Sequence, residues 1–290
     1  MAVTDTPATQ SGSGAPRGRV LVLLDGSRMS YAALDAAADI ASKTGADVLG
    51  IFVEELNLLR SAGFGFAREV GSESGVSRPF GTAEIEQRIQ RLAEHARRAL
   101  AVAAARYGGR HALSITRGSV VDEVLALAQP NDLLVLGRVG WSSAPGARLG
   151  STAKGLWRRS PGRMLLWCES QASSRGRVVV FLNDHDDVNR RAIMAAADAV
   201  WHTHQPVTLL LGAGVDIPPD RLEPIKQDLG VSDSDFRVRT LPSTDPATVV
   251  QVLRQERAAQ LVLSRDCTLL REPGAEHLLA TLNLPVTITP

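Results

Sequence analysis

The sequence is poor in the residues that mark several protein classes. Two cysteines, Cys168 and Cys267, stand singly in 290 residues, with no CxxC or paired spacing. Neither a disulfide framework nor a thiolate zinc site is therefore expected, and both read as small hydrophobes at strand ends. Lysine occurs only at 43, 154 and 226; the rest of the 32 basic residues are scattered arginines that nearly balance 31 acids. A formal net charge of +1 offers no basic stripe for nucleic acid and no acidic tail. No apolar run reaches about 18 residues, so no membrane span is expected. The opening MAVTDTPATQSGSGAPRG has no signal-peptide apolar region, and residues 1–17 read as a disordered lead-in to a cytoplasmic protein. Catalytic signatures are missing too: the chain has no GxxxxGK[ST], no tight GxGxxG, no HExxH and no Ser/His/Asp order.

What is present is alternation. Hydrophobic content of 44% against 22% charged residues is that of a globular chain with one or two domains. The segments 19–24, 48–53, 111–116, 133–136 and 163–167 read as strands, with a continuous apolar run at 133–136. Helical patterns over 30–43, 83–107, 120–128 and 151–159 lie between them; the charged 83–107 reads as a solvated face. Strand and helix in this order predict parallel βαβ crossovers and a doubly wound sheet, with ligands beyond the strand C-termini. The stretch 54–82, dominated by Gly, Ser and Pro and punctuated by Phe64, Phe66 and Phe80, reads as an irregular insertion at that edge. It is either a lid over a ligand or a surface loop.

After the polar linker 169–176 the pattern restarts. Gly18-Arg19-Val20-Leu21-Val22-Leu23-Leu24-Asp25 is echoed by Gly176-Arg177-Val178-Val179-Val180-Phe181-Leu182-Asn183. Strands over 207–211, 236–241, 261–263 and 286–289, with helices over 188–203, 220–229, 247–257 and 275–282, repeat the order of the first half. An internal duplication is the economical reading. The expected units are 18–168 and 177–290.

The informative stretch is 132–161, DLLVLGRVGWSSAPGARLGSTAKGLWRRSP. A buried strand ends at Gly137, Gly140 follows, and Gly150, Ser151 and Thr152 open a helical pattern. Glycines that let main-chain amides approach closely, next to a helix start, suit phosphate oxygens. The plain alternative is a loop with Ser151 as a helix cap.

The spacing Gly137-x2-Gly140-x9-Gly150-Ser151, between LLVLG and GSTAKGLWRRSP, resembles the ATP-binding motif of the universal stress protein family. The resemblance is good over 18–169 and weak over 176–290. It implies α/β architecture: two tandem doubly wound domains, each a five-stranded parallel sheet of order 3-2-1-4-5 flanked by helices. It also implies an adenine-nucleotide site at Leu23, Asp25, Val53, Leu136, Gly137, Arg138, Gly140, Gly150, Ser151 and Thr152. Asp25 matches the family's acid that contacts the nucleoside, with a turn or cap role as the alternative. Val53 matches the residue whose backbone holds adenine. Two departures stand out, apolar Val139 between the glycines and Trp141 where the family usually has a basic residue. Arg138 and Arg148 are the candidate replacements for that charge, and Trp141 is placed either over the base or against the second domain. The implied cofactor is ATP, with or without Mg²⁺, and any hydrolysis is expected to be slow.

The second copy departs further. Ser264-Arg265 replaces Gly137-Arg138, Cys267 falls opposite Gly140, no Gly-Ser opens the last helix, and Leu269 and Leu270 sit where bare backbone is needed. Nucleotide binding is not expected there. Asn183-Asp184-His185-Asp186-Asp187 reads as helix capping, with a hard-cation site as the alternative; His202 and His204 suit a helix C-terminus. The last strands, 163–167 and 286–289, are expected to pair antiparallel within the chain as a pseudo-dimer, itself able to dimerise. The function implied is stress signalling gated by nucleotide and read by an unidentified protein partner. The alternatives are a nucleotide-free tandem scaffold and an enzyme of a related nucleotide-binding type.

Overall fold

The computed structural model describes residues 18–62, 64, 68–70, 74–79, 81–140, 148–168, 176–183 and 185–290. Five consecutive apolar side chains make β1 (Val20–Leu24) a strand buried on both faces. The Ser27 hydroxyl then accepts the Ser30 amide at 3.1 Å and starts α1 (Arg28–Thr44), which Gly45 ends at φ 68°. The first half continues with β2 (Val48–Glu55), α2 (Leu56–Ala62), β3 (Arg68–Val70), β4 (Ser77–Pro79), α3 (Thr82–Tyr107), β5 (His111–Gly118), α4 (Val120–Leu127), β6 (Leu133–Gly137), α5 (Ser151–Trp157) and β7 (Arg163–Trp167). The second half runs β8 (Arg177–Leu182), α6 (Asp186–Thr203), β9 (Val207–Leu211), α7 (Pro219–Leu229), β10 (Phe236–Thr240), α8 (Pro246–Gln255), β11 (Ala258–Ser264), α9 (Thr268–Arg271), α10 (Ala275–Thr281) and β12 (Val286–Thr289).

One expectation needs correction. The stretch 54–82 is not irregular throughout: β2 extends to Glu55, α2 follows, and β3 pairs with β4 as an antiparallel hairpin. The leucines and arginine of 56–60, LNLLR, outweigh the glycine-rich chain beyond them, and Leu59 packs against the core under α1 and α3. The short helix α9 was also not anticipated.

The ten long strands form one sheet, ordered β10-β9-β8-β11-β12-β7-β6-β1-β2-β5. Each half therefore has the order 3-2-1-4-5, and all neighbours within a half are parallel. The halves meet where β12 runs antiparallel to β7, with Val286 opposite Leu166 and Ile288 opposite Met164. That junction removes two open edges at once.

Strand alternation sends the side chains to two differently built faces. On one face, Leu21, Leu23, Met164 and Leu166 share a single continuous core with Phe181, Leu261, Val286 and Ile288. On the other, the first half packs α1 and α3 on its strands, and the second half packs α6 and α7 on its own. Between α1 and α6 this face leaves a groove of about 600 Å³, floored by Leu165, Trp167 and Thr287. Among the described residues, no helix is long and apolar enough to cross a membrane.

The echoed Gly-Arg pairs anchor the first strand of each half. Arg19 donates from its main-chain amide (2.9 Å) and its guanidinium (3.2 and 2.7 Å) to Asp132, whose carboxylate also accepts the Gln129 amide at 2.9 Å. Arg177 donates to Thr208 Oγ1 (2.7 Å) and to the carbonyls of Val207 (2.5 Å) and Asp235 (2.8 Å). Burial alone would raise the Asp132 pKa. Hydrogen bonds from Arg19 and Gln129, and the Arg19 charge, more than offset it, so the carboxyl lies below its ordinary value.

Two outcomes are expected. Because one core spans both halves, calorimetry should show one transition with matching calorimetric and van't Hoff enthalpies, and Leu166→Ala should lower it by about 2–5 kcal/mol without splitting it. Asp132→Asn should cost about 2 kcal/mol near neutral pH. A depressed folded-state pKa contributes stability above the unfolded pKa and loses it as pH falls through the folded value. The wild-type advantage over Asp132→Asn should therefore vanish below the ordinary carboxylate range, which denaturant titrations across pH would reveal.

Candidate functional site

The ten residues singled out from the sequence all line one cleft at the C-terminal edge of the first half's sheet. Leu23 and Asp25 come from β1 and the turn after it, and Val53 from β2. Leu136, Gly137, Arg138 and Gly140 come from β6 and its loop; Gly150, Ser151 and Thr152 come from the entrance to α5. Alternating strand order places this edge beside the point where β1 sends its neighbours β2 and β6 to opposite sides, the switch point of a doubly wound sheet.

Asp25 has two distinct oxygens. Oδ1 accepts the Ser27 amide at 2.9 Å, an Asx turn, so the turn role is realised. Oδ2 faces the loop and stands 2.6 Å from where a Cβ on Gly140 would be. Gly137 serves a similar close approach, since a Cβ there would lie 2.6 Å from Met29 Cγ. Both glycines therefore let the β1–α1 turn press against the β6 loop. That loop is closed by the Gly150 amide donating to the Arg138 carbonyl (2.9 Å) and the Arg138 amide donating to the Trp167 carbonyl (3.0 Å). The N-cap of α5 is Gly150, which makes no side-chain cap bond, so Ser151 is not the cap.

Arg138 corrects the sequence reading. Its backbone lines the cleft, but its guanidinium is buried and donates to the carbonyls of Leu282 and of Leu284 (3.0 Å) in the other half. An arginine so placed spends its donors on the second half, not in the cleft, and burial lowers its pKa from the ordinary value. Arg148 is exposed and is not among the lining residues. Val139 does line the cleft. Trp141 lies outside the described residues, as do Phe66 and Phe80. Of the described part of 54–82, only Glu55 lines the cleft, and Phe64 is exposed.

Sequence reasoning missed several lining residues. Ser27 and Ser30 belong to the cap of α1, Phe52 precedes Val53, and Ile89 and Leu92 close one side from α3. The serines were legible as a capping pair; the α3 residues carry no local signal, because only packing brings that helix over the turn. Tyr31 is close by, its hydroxyl 2.7 Å from His95 Nδ1. Burial, and then the Asp25 carboxylate, raise its phenol pKa.

The cleft encloses about 80 Å³, below the roughly 300 Å³ at which sites for drug-sized ligands begin. The α1–α6 groove is larger, yet it holds none of the glycine loop and sits at a different part of the sheet.

The corresponding corner of the second half is filled. Cys267, Leu269 and Leu270 are all buried in the shared core, and burial pushes the Cys267 thiol up to about 12. Asn183 repeats the Asx turn, its Oδ1 accepting the His185 amide at 3.0 Å, and Asn189 bonds its main chain on both sides. Among the described residues, neither Asp186 nor Asp187 is the N-cap of α6. The N-cap His185 makes no side-chain cap bond, Asp186 and Asp187 occupy the first turn, and Asp186 pairs with Arg221 at 2.7 Å. Asp184 lies outside the described residues, among which no group of three metal-ligating side chains occurs. His204 takes the left-handed C-cap of α6 at φ 51°; the His202 side chain is outside the described set.

The close approach of Asp25 to Gly140 makes a double-mutant prediction. Gly140→Ala should destabilise the protein by about 1–3 kcal/mol through overpacking. In an Asp25→Ala background the added methyl has room, so the same change should cost about 1 kcal/mol less. Equal costs in the two backgrounds, by denaturant unfolding, would refute the contact.

No curated protein matches the sequence significantly. Solved structures do share the fold. A universal stress protein from Archaeoglobus fulgidus DSM 4304 aligns over 94% of this chain and 96% of that one, at 15% identity and TM-score 0.67. A putative universal stress protein from Pseudomonas aeruginosa UCBPP-PA14 aligns over 94% and 93%, at 14% identity and TM-score 0.58. A universal stress protein solved in complex with cAMP covers 53% of this chain and 98% of its own, at 22% identity and TM-score 0.35; its ligand is a fact about that protein alone. The sequence pattern of the Universal stress protein family matches residues 16–167, a little over half of the chain. With that match over the half that carries the glycine loop, the chain belongs to the universal stress protein family.

Proposed function

We propose that this protein binds an adenine nucleotide in the cleft of its first half and signals nucleotide state through protein contacts. The observation that carries this reading is the convergence of all ten motif residues on one switch-point cleft, with a carboxylate oxygen of Asp25 turned to the glycine loop. On this reading Asp25 accepts from ribose or adenine donors, the Val53 backbone holds the base, and main-chain amides of Gly140, Ser151 and Thr152 receive phosphate oxygens, with the Ser151 and Thr152 hydroxyls beside them. The chain is then two tandem stress-protein units, 18–168 competent for nucleotide and 177–290 retained without a ligand loop, joined by the linker 169–176. Because the cleft encloses only about 80 Å³, nucleotide entry has to widen it.

That small volume also favours a second reading, a nucleotide-free scaffold acting only through protein contacts. The two separate on one experiment. On the nucleotide reading, denatured protein purified from its host releases ATP, ADP or AMP by mass spectrometry, or apoprotein binds ATP calorimetrically, and Asp25→Ala weakens binding about tenfold or more. No nucleotide released and no ATP heat at millimolar concentration would leave the scaffold.

A further inference from the structure

Arg138 and Arg265 stand at equivalent places, each just after the fourth strand of its half, and each amide donates to the end of the last strand (Trp167 and Thr289). Their side chains cross the junction reciprocally. Arg138 donates to the carbonyls of Leu282 and Leu284, in the turn between α10 and β12. Arg265 donates to the carbonyls of Ser160 (2.9 Å) and Arg158 (3.4 Å), in the turn between α5 and β7. Each half thus ties its ligand-edge loop to the carbonyls left free where the other half's last helix ends.

The two ties differ in what they hold. Arg265 holds a loop whose corner is filled by Cys267, Leu269 and Leu270. Arg138 holds the loop that builds the cleft. Its backbone lines that cleft, its carbonyl accepts the Gly150 amide, and its side chain is buried against the second half. A guanidinium with fixed planar donors matches two carbonyls of one turn better than a single ammonium does. We propose that Arg138 is a positioning residue, through which the ligandless second half holds the glycine loop of the first half's cleft in its binding geometry. The second half is in this sense part of the site. The inference rests on the nucleotide reading for its purpose, and on the junction geometry alone for its structural content.

Amide hydrogen exchange on the intact, ligand-free chain tests the structural content, with ATP calorimetry in parallel. Arg138→Gln should raise exchange of 137–140 and 149–153 about tenfold, the scale of losing hydrogen bonds from a charged donor. Arg138→Lys, which keeps one donor, should fall between it and wild type. Arg265→Gln should release 158–163 and leave the cleft loop unchanged; should Arg138→Gln fail to fold, the Lys variant against Arg265→Gln carries the comparison. If ATP binds, Arg138→Gln should weaken it about tenfold and Arg138→Lys by less, while Arg265→Gln leaves it within about twofold. Unchanged loop exchange in both Arg138 variants, or equal loosening by Arg265→Gln, would overturn the proposal even where ATP binds. The exchange pattern without any ATP binding would support the positioning role and sink the nucleotide reading instead.

Discussion

The structure depends on the antiparallel pairing of β7 with β12. Each parallel five-stranded sheet ends in a strand buried on both faces, with one edge of amides and carbonyls unpaired. In water such an edge invites association, and burying it unpaired is costly. Here the two edges satisfy each other within one chain. Reversing strand direction at that one seam also turns the second half about it, so the ligand edges of the halves face opposite ways along the sheet. The same seam brings Met164 and Leu166 onto Ile288 and Val286, and two cores become one on that face.

Around that seam the halves are alike in frame and unlike in content. Both begin with a Gly-Arg pair, both make an Asx turn after the first strand, and both place an arginine after the fourth strand. They diverge where a side chain has to be absent. Gly137 and Gly140 permit Met29 and Asp25 to crowd the first loop. At the second, Cys267 and two leucines occupy the corner with apolar packing. Buried leucines there stabilise the fold and leave that corner closed by apolar side chains.

Arginine 138 shows how a motif position can serve two ends. A residue inside the glycine motif would ordinarily be assigned to the ligand by its charge. Arg138 stays beside the cleft, yet its guanidinium is drawn across the seam, where helix-end carbonyls lie within reach and its own burial demands partners. The cleft is lined by apolar side chains such as Phe52, Val53 and Ile89 together with glycines, hydroxyl-bearing residues and the acids Asp25 and Glu55, with the guanidinium of its own motif turned to the second half.

Much of this was already decided along the chain. Uninterrupted apolar runs such as those at 133–137 and 164–167 marked the strands, because a short strand covered on both faces accommodates them. The repeated order of elements and the Asp25, Gly137 and Gly140 spacing marked the cleft, because turn chemistry and close approach are local demands. The sequence was less informative over 54–82, where the helix formers of α2 were masked by the glycines after them. Tertiary structure alone decided the direction of Arg138, the cover supplied by Ile89 and Leu92, and the narrowness of the cleft. Each of these depends on which distant segment arrives beside the residue, and no local pattern encodes a neighbour 144 positions away.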